Sequence, residues 1–277
     1  MPARLHYISR YFGDGTPSRW VVLLHGILGS GSNWAQFASD LARRKPGWGL
    51  LAVDLRHHGR SETGSAPDGV AACVEDLVAL CKSERFQIGA VVGHSFGSKI
   101  ALRLCAEIPG VSFCASVDAD PGPLSTEGKV RDDFPVLRLL DALRQGPQQY
   151  DSREDFVTEM SRAGFAEGIA GWVGKNLKRN EGHLILDLDL DRIEAMLDDH
   201  HRLDLWGLVE SPVCDRLEFY IGGKSRVVPE SSRKRLAALA QENPRRIGMT
   251  VVEDAGHWIH VDRPEALLEL LLSGIPD

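Results

Sequence analysis

Ile88-Gly89-Ala90-Val91-Val92-Gly93-His94-Ser95-Phe96-Gly97-Ser98-Lys99-Ile100-Ala101 joins two kinds of pattern within fourteen residues. Ile88–Val92 is a continuous apolar run, the composition of a strand buried on both faces. Lys99–Glu107 has helical spacing and is closed by Pro109. Between them lies Gly93-His94-Ser95-Phe96-Gly97. A serine in a sharp turn there needs glycines on both sides, because side chains would collide with the neighbouring strand and helix. Such a turn lifts the Ser95 hydroxyl clear of the sheet. It also turns the next backbone N–H and the helix N-terminus toward whatever the hydroxyl meets.

The same alternation extends on both sides. Trp20–Leu24, Gly49–Asp54 and Ser112–Val117 read as buried strands, and Trp34–Arg44 and Gly69–Ser83 as amphipathic helices. This is the signature of a mostly parallel central sheet with helices on both faces, an α/β fold. The alternation stops after Asp118. Val136–Arg144, Asp155–Ala163, Ile169–Lys178 and Arg192–His200 have helical spacing, with no strong strand between them. It resumes with a strand at Leu217–Ile221, a helix at Ser231–Asn243, a strand at Met249–Glu253 and a helix at Pro264–Leu272. Residues 1–120 and 211–277 are therefore expected to form one α/β core, with 121–210 a helical insert. Residues 121–210 hold 11 Lys plus Arg against 18 Asp plus Glu, and the rest holds 21 of each, so the whole net charge of −7 lies on the insert. A solvated helical surface accounts for this; a field disfavouring anionic substrates is the functional alternative.

Composition narrows the function. Of 277 residues, 43% are hydrophobic and 26% charged, which argues for a globular chain. The acidic balance argues against nucleic acid as a partner. The most apolar stretch, Ala266–Leu272, is far short of the ~20 residues that span a bilayer, so no integral membrane segment is expected. The start of the chain lacks the apolar run of a secretory signal. Five cysteines, an odd number with no C-x-x-C pair, indicate neither a disulfide framework nor a zinc site. Cys105 and Cys114 read as core residues. A soluble chain in a reducing compartment is expected, cytoplasmic or, if a presequence was removed, organellar.

A serine hydroxyl is a poor nucleophile at neutral pH and needs a general base. His257, in Ala255-Gly256-His257-Trp258 between the last strand and the last helix, is placed to reach over Ser95 from the carboxyl edge of the sheet. His260 reads as structural or surface. His57, His58, His200 and His201 are adjacent pairs without metal spacing, and no metal site is expected. Acyl transfer also needs two N–H donors for the developing oxyanion. These are expected from Phe96 and from Ile27 in Leu24-His25-Gly26-Ile27-Leu28-Gly29-Ser30. His25 reads as a packing and hydrogen-bonding residue. His25, Leu28 and Trp258 are also weak candidates for substrate contact. Trp34, Phe96, Trp172 and Trp206 could line an apolar pocket or simply pack in the core.

Taken together, His25–Ser30, Asp54-Leu55-Arg56-His57-His58-Gly59-Arg60-Ser61, the Ser95 turn, Gly222-Gly223-Lys224-Ser225 and Ala255–Trp258 resemble an α/β-hydrolase-fold serine hydrolase. The likeness is to small esterases of bacteria, with relatives in mitochondria and plastids. Their Asp-x-Arg-Asn-His-Gly-x-Ser segment is kept here except for the Asn, which is His57. The resemblance implies hydrolysis of a small-molecule carboxylic ester or thioester without a cofactor, and a cap formed by 121–210. Most members place the triad acid in a Gly-x-x-Asp turn; here Ser225 stands in its place. The strand Ser112–Val117 should flank the Ser95 strand, and Asp118 is the first carboxylate off its end, with Asp120 the second choice. The esterases with the Gly-Gly-x-Ser turn resemble this arrangement. Asp54 reads as holding the Arg56–Ser61 loop, and Asp254 as surface. Hydrolysis through an acyl-Ser95 intermediate is the expected function. A receptor-like protein that binds a small ligand with slow or no turnover is the alternative, and carbon–carbon bond hydrolysis or peracid formation on the same Ser/His pair are further ones.

Overall fold

The computed structural model describes residues 1–124 and 134–277. In chain order, β1 (Tyr7–Arg10) and β2 (Arg19–Leu24) precede α1 (Ala35–Arg44) and β3 (Trp48–Val53). Then come α2 (Val70–Glu84), β4 (Ile88–His94), α3 (Phe96–Glu107) and β5 (Phe113–Val117). The segment after β5 holds α4 (Pro135–Gln145), α5 (Arg153–Arg162), α6 (Glu167–Val173), β6 (Leu177–Asn180), β7 (His183–Leu186), α7 (Leu190–Arg202) and α8 (Trp206–Glu210). The chain ends with β8 (Arg216–Gly222), α9 (Glu230–Glu242), β9 (Ile247–Val252), α10 (Ile259–Asp262) and α11 (Pro264–Gly274).

The main sheet has the order β1-β3-β2-β4-β5-β8-β9. Every neighbouring pair is parallel except β1 with β3. Successive strand side chains face opposite sides, and both sides are covered. Val22, Leu24, Val91 and Phe219 pack with α2 and α3 through Leu77, Ile100 and Leu104. Val21, Leu23, Val92 and Tyr220 pack with α1 and α11 through Leu41 and Leu271. Insert residues Leu139, Ile193 and Leu197 join the first of these cores. Covered faces explain why the strands read as unbroken apolar runs.

Three differences from the sequence reading have local causes. The edge strand β1 was not expected; it is short and only partly buried, so it carries little apolar signal. The helix expected over Ile169–Lys178 stops at Val173, where Asn176 Nδ2 donates to the Val173 carbonyl at 3.1 Å. A 3-10 turn, Gly174–Asn176, then leads into the β6–β7 hairpin. Glu181 (φ 47°) and Gly182 (φ 95°) both lie in the left-handed region, as a two-residue hairpin turn requires. α3 begins at Phe96 rather than Lys99, so Ser95 is its N-terminal flank.

The Asp54–Ser61 segment braces the loop over the sheet. His25 Nε2 accepts from the Leu55 N–H at 3.0 Å, and His58 Nε2 accepts from the Leu28 N–H at 3.0 Å. Each ring donates its Nδ1–H to a carbonyl, of Gly26 and Arg56 respectively, at 2.8 Å. The two loops thus lock reciprocally. Asp54 accepts from the backbone N–H groups of Gly31 (2.6 Å) and Arg60 (2.9 Å), as expected of a loop-holding residue. Arg56 is buried and forks onto Asp76 at 2.7 and 2.8 Å, with Asp68 at 3.0 Å. His57 has φ 61°, a conformation that Asn and His tolerate better than most residues, and donates to Asp68 at 2.7 Å.

Removing one partner of a buried, hydrogen-bonded ion pair strands the other charge, so Asp76→Ala should cost about 3–5 kcal/mol in urea unfolding. Burial first, and then neighbouring His25, push His58 down to about 3, and burial lowers His25 as well. A histidine held neutral in the folded state contributes stability that is complete above its unfolded value of about 6.5 and is lost as pH falls below it. The urea midpoint should therefore fall between pH 7.5 and pH 4.5, and His58→Gln should flatten that fall; equal slopes in the two proteins would contradict it.

Candidate active site

β4 and β5 end side by side, with His94 paired to Val117 and Val117 to Tyr220 of β8. The next residue on β4 is Ser95 and the next on β5 is Asp118. Ser95 N–H donates to the Val117 carbonyl at 3.0 Å, and Asp118 N–H to the Tyr220 carbonyl at 2.8 Å. Both residues leave their strands with left-handed backbones, Ser95 at φ 52° and Asp118 at φ 50°. For residues with a Cβ this is strain held by the surroundings. Gly93 and Gly97 permit the sharp turn: a Cβ on Gly93 would lie 2.2 Å from the Gly97 carbonyl oxygen.

His257 arrives on the loop after β9. Its Nδ1–H donates to Asp118 Oδ2 at 2.7 Å. That same oxygen accepts the Ser225 hydroxyl at 2.5 Å, and Oδ1 accepts the Gly222 N–H at 2.9 Å. Asp118 is fully buried, whereas the His257 side chain retains 24% of its exposure. The carboxylate is thus fixed by three donors from two loops, and its charge is balanced by hydrogen bonds. Ser225, at the turn position where an acid is usual, donates to the carboxylate that stands one residue past β5.

His94 bridges the two loops. Its Nε2–H donates to the His257 carbonyl at 2.8 Å, and its ring lies 4.6 Å from the His257 ring. Burial, then the charges available to His257 and His260, hold His94 well below the usual imidazole range. Among the described residues, no hydrogen bond joins the Ser95 hydroxyl to His257, whose ring is held on its other side by Asp118. The Gly26 loop closes over the same point: a Cβ on Gly26 would sit 3.3 Å from Ser95 Cβ. Among the described residues, the backbone N–H groups of Ile27 and Phe96 enter no turn or loop hydrogen bond.

Several sequence expectations change here. Asp120 does not face His257; it accepts from Gly122 N–H (2.9 Å) and the Ser232 hydroxyl (3.0 Å) and so holds a turn. His25 and Leu28 are buried, and both His25 nitrogens are engaged with backbone, so neither residue offers a surface to a ligand. Of the two readings of His260, structural or surface, the structure takes the first: it stacks on Trp34 at 4.4 Å and burial pushes it down to about 3. Trp34 and Phe96 are core, and Trp206 is buried under Arg235. Trp258 lies beside the site, 5.4 Å from the His257 ring, and Trp172 of the insert meets Trp258 at 5.9 Å. Asp254 is on the surface, between Lys224 and Arg263. The sequence did not signal Asn176 of the insert, whose Nδ2 donates to the Leu28 carbonyl at 2.8 Å. The five cysteines are buried and free. Among the described residues there is no cluster able to hold a metal and no helix long and apolar enough to cross a membrane.

Comparison with known proteins bears on the family and the fold. The chain is 26% identical over 263 residues to the sn-1-specific diacylglycerol lipase ABHD11 of Mus musculus, covering 94% of this chain and 82% of that protein. It is 25% identical over 252 residues to esterase YbfF of Escherichia coli, covering 91% of each. A solved marine microorganism esterase superposes with a TM-score of 0.80 at 22% identity, over 98% of this chain and 99% of that one. The profile of the alpha/beta hydrolase family matches residues 21–270, and the chain belongs to that family.

Proposed function

We propose that the protein is a carboxylic ester hydrolase that works through an acyl-Ser95 intermediate on small-molecule esters or thioesters. The observation that carries this reading is the 2.7 Å bond from His257 to a buried carboxylate on the strand adjoining the strained Ser95 turn. The relatives named as an esterase and a lipase support the same reaction class.

In this reading Asp118 accepts a hydrogen bond from His257 Nδ1–H, which keeps the proton on Nδ1 and leaves Nε2 unprotonated and directed to the reacting centre. His257 Nε2 takes the Ser95 proton as Oγ attacks the acyl carbonyl. The carbonyl oxygen becomes an oxyanion held by the N–H groups of Ile27 and Phe96, with the N-terminus of α3 adding its dipole. His257 then gives its proton to the departing alkoxide or thiolate as the tetrahedral intermediate collapses to the acyl-enzyme. Water, deprotonated by His257, attacks the acyl-enzyme; the second collapse returns the proton to Ser95 and releases the acid. Asp118 stays ionised and stabilises the imidazolium in both halves. Ser225 and the Gly222 N–H hold Asp118 in place. The insert, 121–210, acts as a cap: Trp172 meets Trp258 beside the base, and Asn176 grips the Leu28 carbonyl.

Ser95→Ala should abolish both ester turnover and labelling by a fluorophosphonate probe; turnover retained in that variant would reject the assignment. A burst of product followed by no turnover in the wild type would favour the ligand-binding alternative. Asp118→Asn should lower kcat by up to ~10⁴ with the fold intact, as loss of the orienting acid does in a serine triad. Asp120→Asn should leave kcat near wild type, and the reverse ranking would move the acid to Asp120.

A further inference from the structure

One buried cation takes no part in the chemistry above. Lys99 lies one helical turn beyond Ser95 on α3 and is 1% exposed. It forms no ion pair among the described residues. Its ammonium donates instead to three backbone carbonyls, those of Gly122, His200 and Leu203, each at 2.7 Å. An ammonium has three protons, so its donor capacity is filled. The acceptors come from both ends of the insert. Gly122 is on the segment leaving β5, and His200 and Leu203 are at the carboxyl end of α7. Terminal helix carbonyls lack intrahelical partners and carry partial negative charge, which favours a cation there.

The clamped segments also pair with each other. Leu124 N–H donates to the His201 carbonyl at 2.8 Å, and Leu205 N–H to the Pro121 carbonyl at 2.9 Å. Where the clamp fixes the His200 backbone, the His200 ring rests on the Phe96 ring, 5.2 Å between centroids. Phe96 directly follows Ser95. The amino half of α7 is tied down separately, by Arg192 on Asp68 at 2.6 Å. One buried carbonyl and two partly buried ones gathered on a buried ammonium make a joint whose loss removes a hydrogen bond from each of the three.

We propose that Lys99 is a positioning residue that seats the insert on the nucleophile-bearing helix, holds His200 against Phe96, and so sets the length of acyl group admitted at Ser95. This rests on the ester-hydrolase reading. Lys99 touches no reacting atom, so its removal should change which substrates fit more than how fast a bound small one reacts.

The test uses the full chain, p-nitrophenyl esters from acetate to decanoate, and fluorophosphonate titration to count working sites. Lys99→Met should keep kcat per titrated site on acetate within about twofold of wild type while changing relative kcat/KM across the longer esters by about tenfold, the scale of one lost buried hydrogen bond. Lys99→Gln, which keeps one donor, should fall between the two. Backbone hydrogen exchange should rise at residues 200–205 in both variants. An unchanged chain-length profile per titrated site in Lys99→Gln would overturn the proposal even if Lys99→Met does not fold. So would a loss of kcat uniform across all the esters. A wild-type protein that neither labels nor turns over any ester defeats the hydrolase reading itself, an outcome separate from an active wild type with an unmoved profile.

Discussion

The hydrogen bond between His257 and Asp118 is the constraint on which the remaining geometry converges. A carboxylate buried without partners would take up a proton rather than stay charged. Here it receives His257 Nδ1–H, the Ser225 hydroxyl and the Gly222 N–H. Those donors come from the loops after β9 and β8, and the acceptor from the end of β5. The pairing of three parallel strands therefore fixes the distance between Asp118 and His257. Slippage of one strand by a single residue would reverse the facing of its side chains and break the bond. The strain at Ser95 and at Asp118 is held by the same strand ends, through their N–H bonds to Val117 and Tyr220.

A second layer keeps the facing loop in register. His25 and His58 exchange backbone partners across two loops, and Arg56 anchors the second loop to α2 through Asp76. In this layer histidines serve as neutral hydrogen-bonding struts, and their burial favours the uncharged form that the pattern needs. Only His257, among the imidazoles at the centre of the site, keeps appreciable contact with solvent while one nitrogen is held by a carboxylate. The division of labour between the histidines follows from burial rather than from residue type.

Much of this was legible in the sequence, for a physical reason. Motifs within a few residues, such as Gly93–Gly97 and Ala255–Trp258, are written by local sterics. Strand runs buried on both faces advertise a parallel sheet. Asp118 was reachable because adjoining parallel strands end at the same edge, so a carboxylate one residue past β5 must neighbour the Ser95 turn. What depended on long-range pairing was hidden. Ser225 looked like a missing acid, yet its hydroxyl is one of the donors that steady the Asp118 carboxylate. His25 and Leu28 looked like possible ligand contacts because their loop faces the site, but their side chains are spent on bracing it. The β6–β7 hairpin was hidden because its strands are four residues each and mostly exposed or half-buried, which leaves little apolar signal, and Asn176 carries no sign in sequence that it caps a helix and reaches Leu28.

The proposed assignment of the acid to Asp118 is tested most directly by proton NMR of the His257 Nδ1–H. A proton shared with a buried carboxylate resonates far downfield and exchanges slowly. The account predicts such a signal in the wild type and in Ser95→Ala, and its loss in Asp118→Asn. A downfield His257 signal that survives Asp118→Asn would contradict it, because the carboxylate orienting the base would then be another residue.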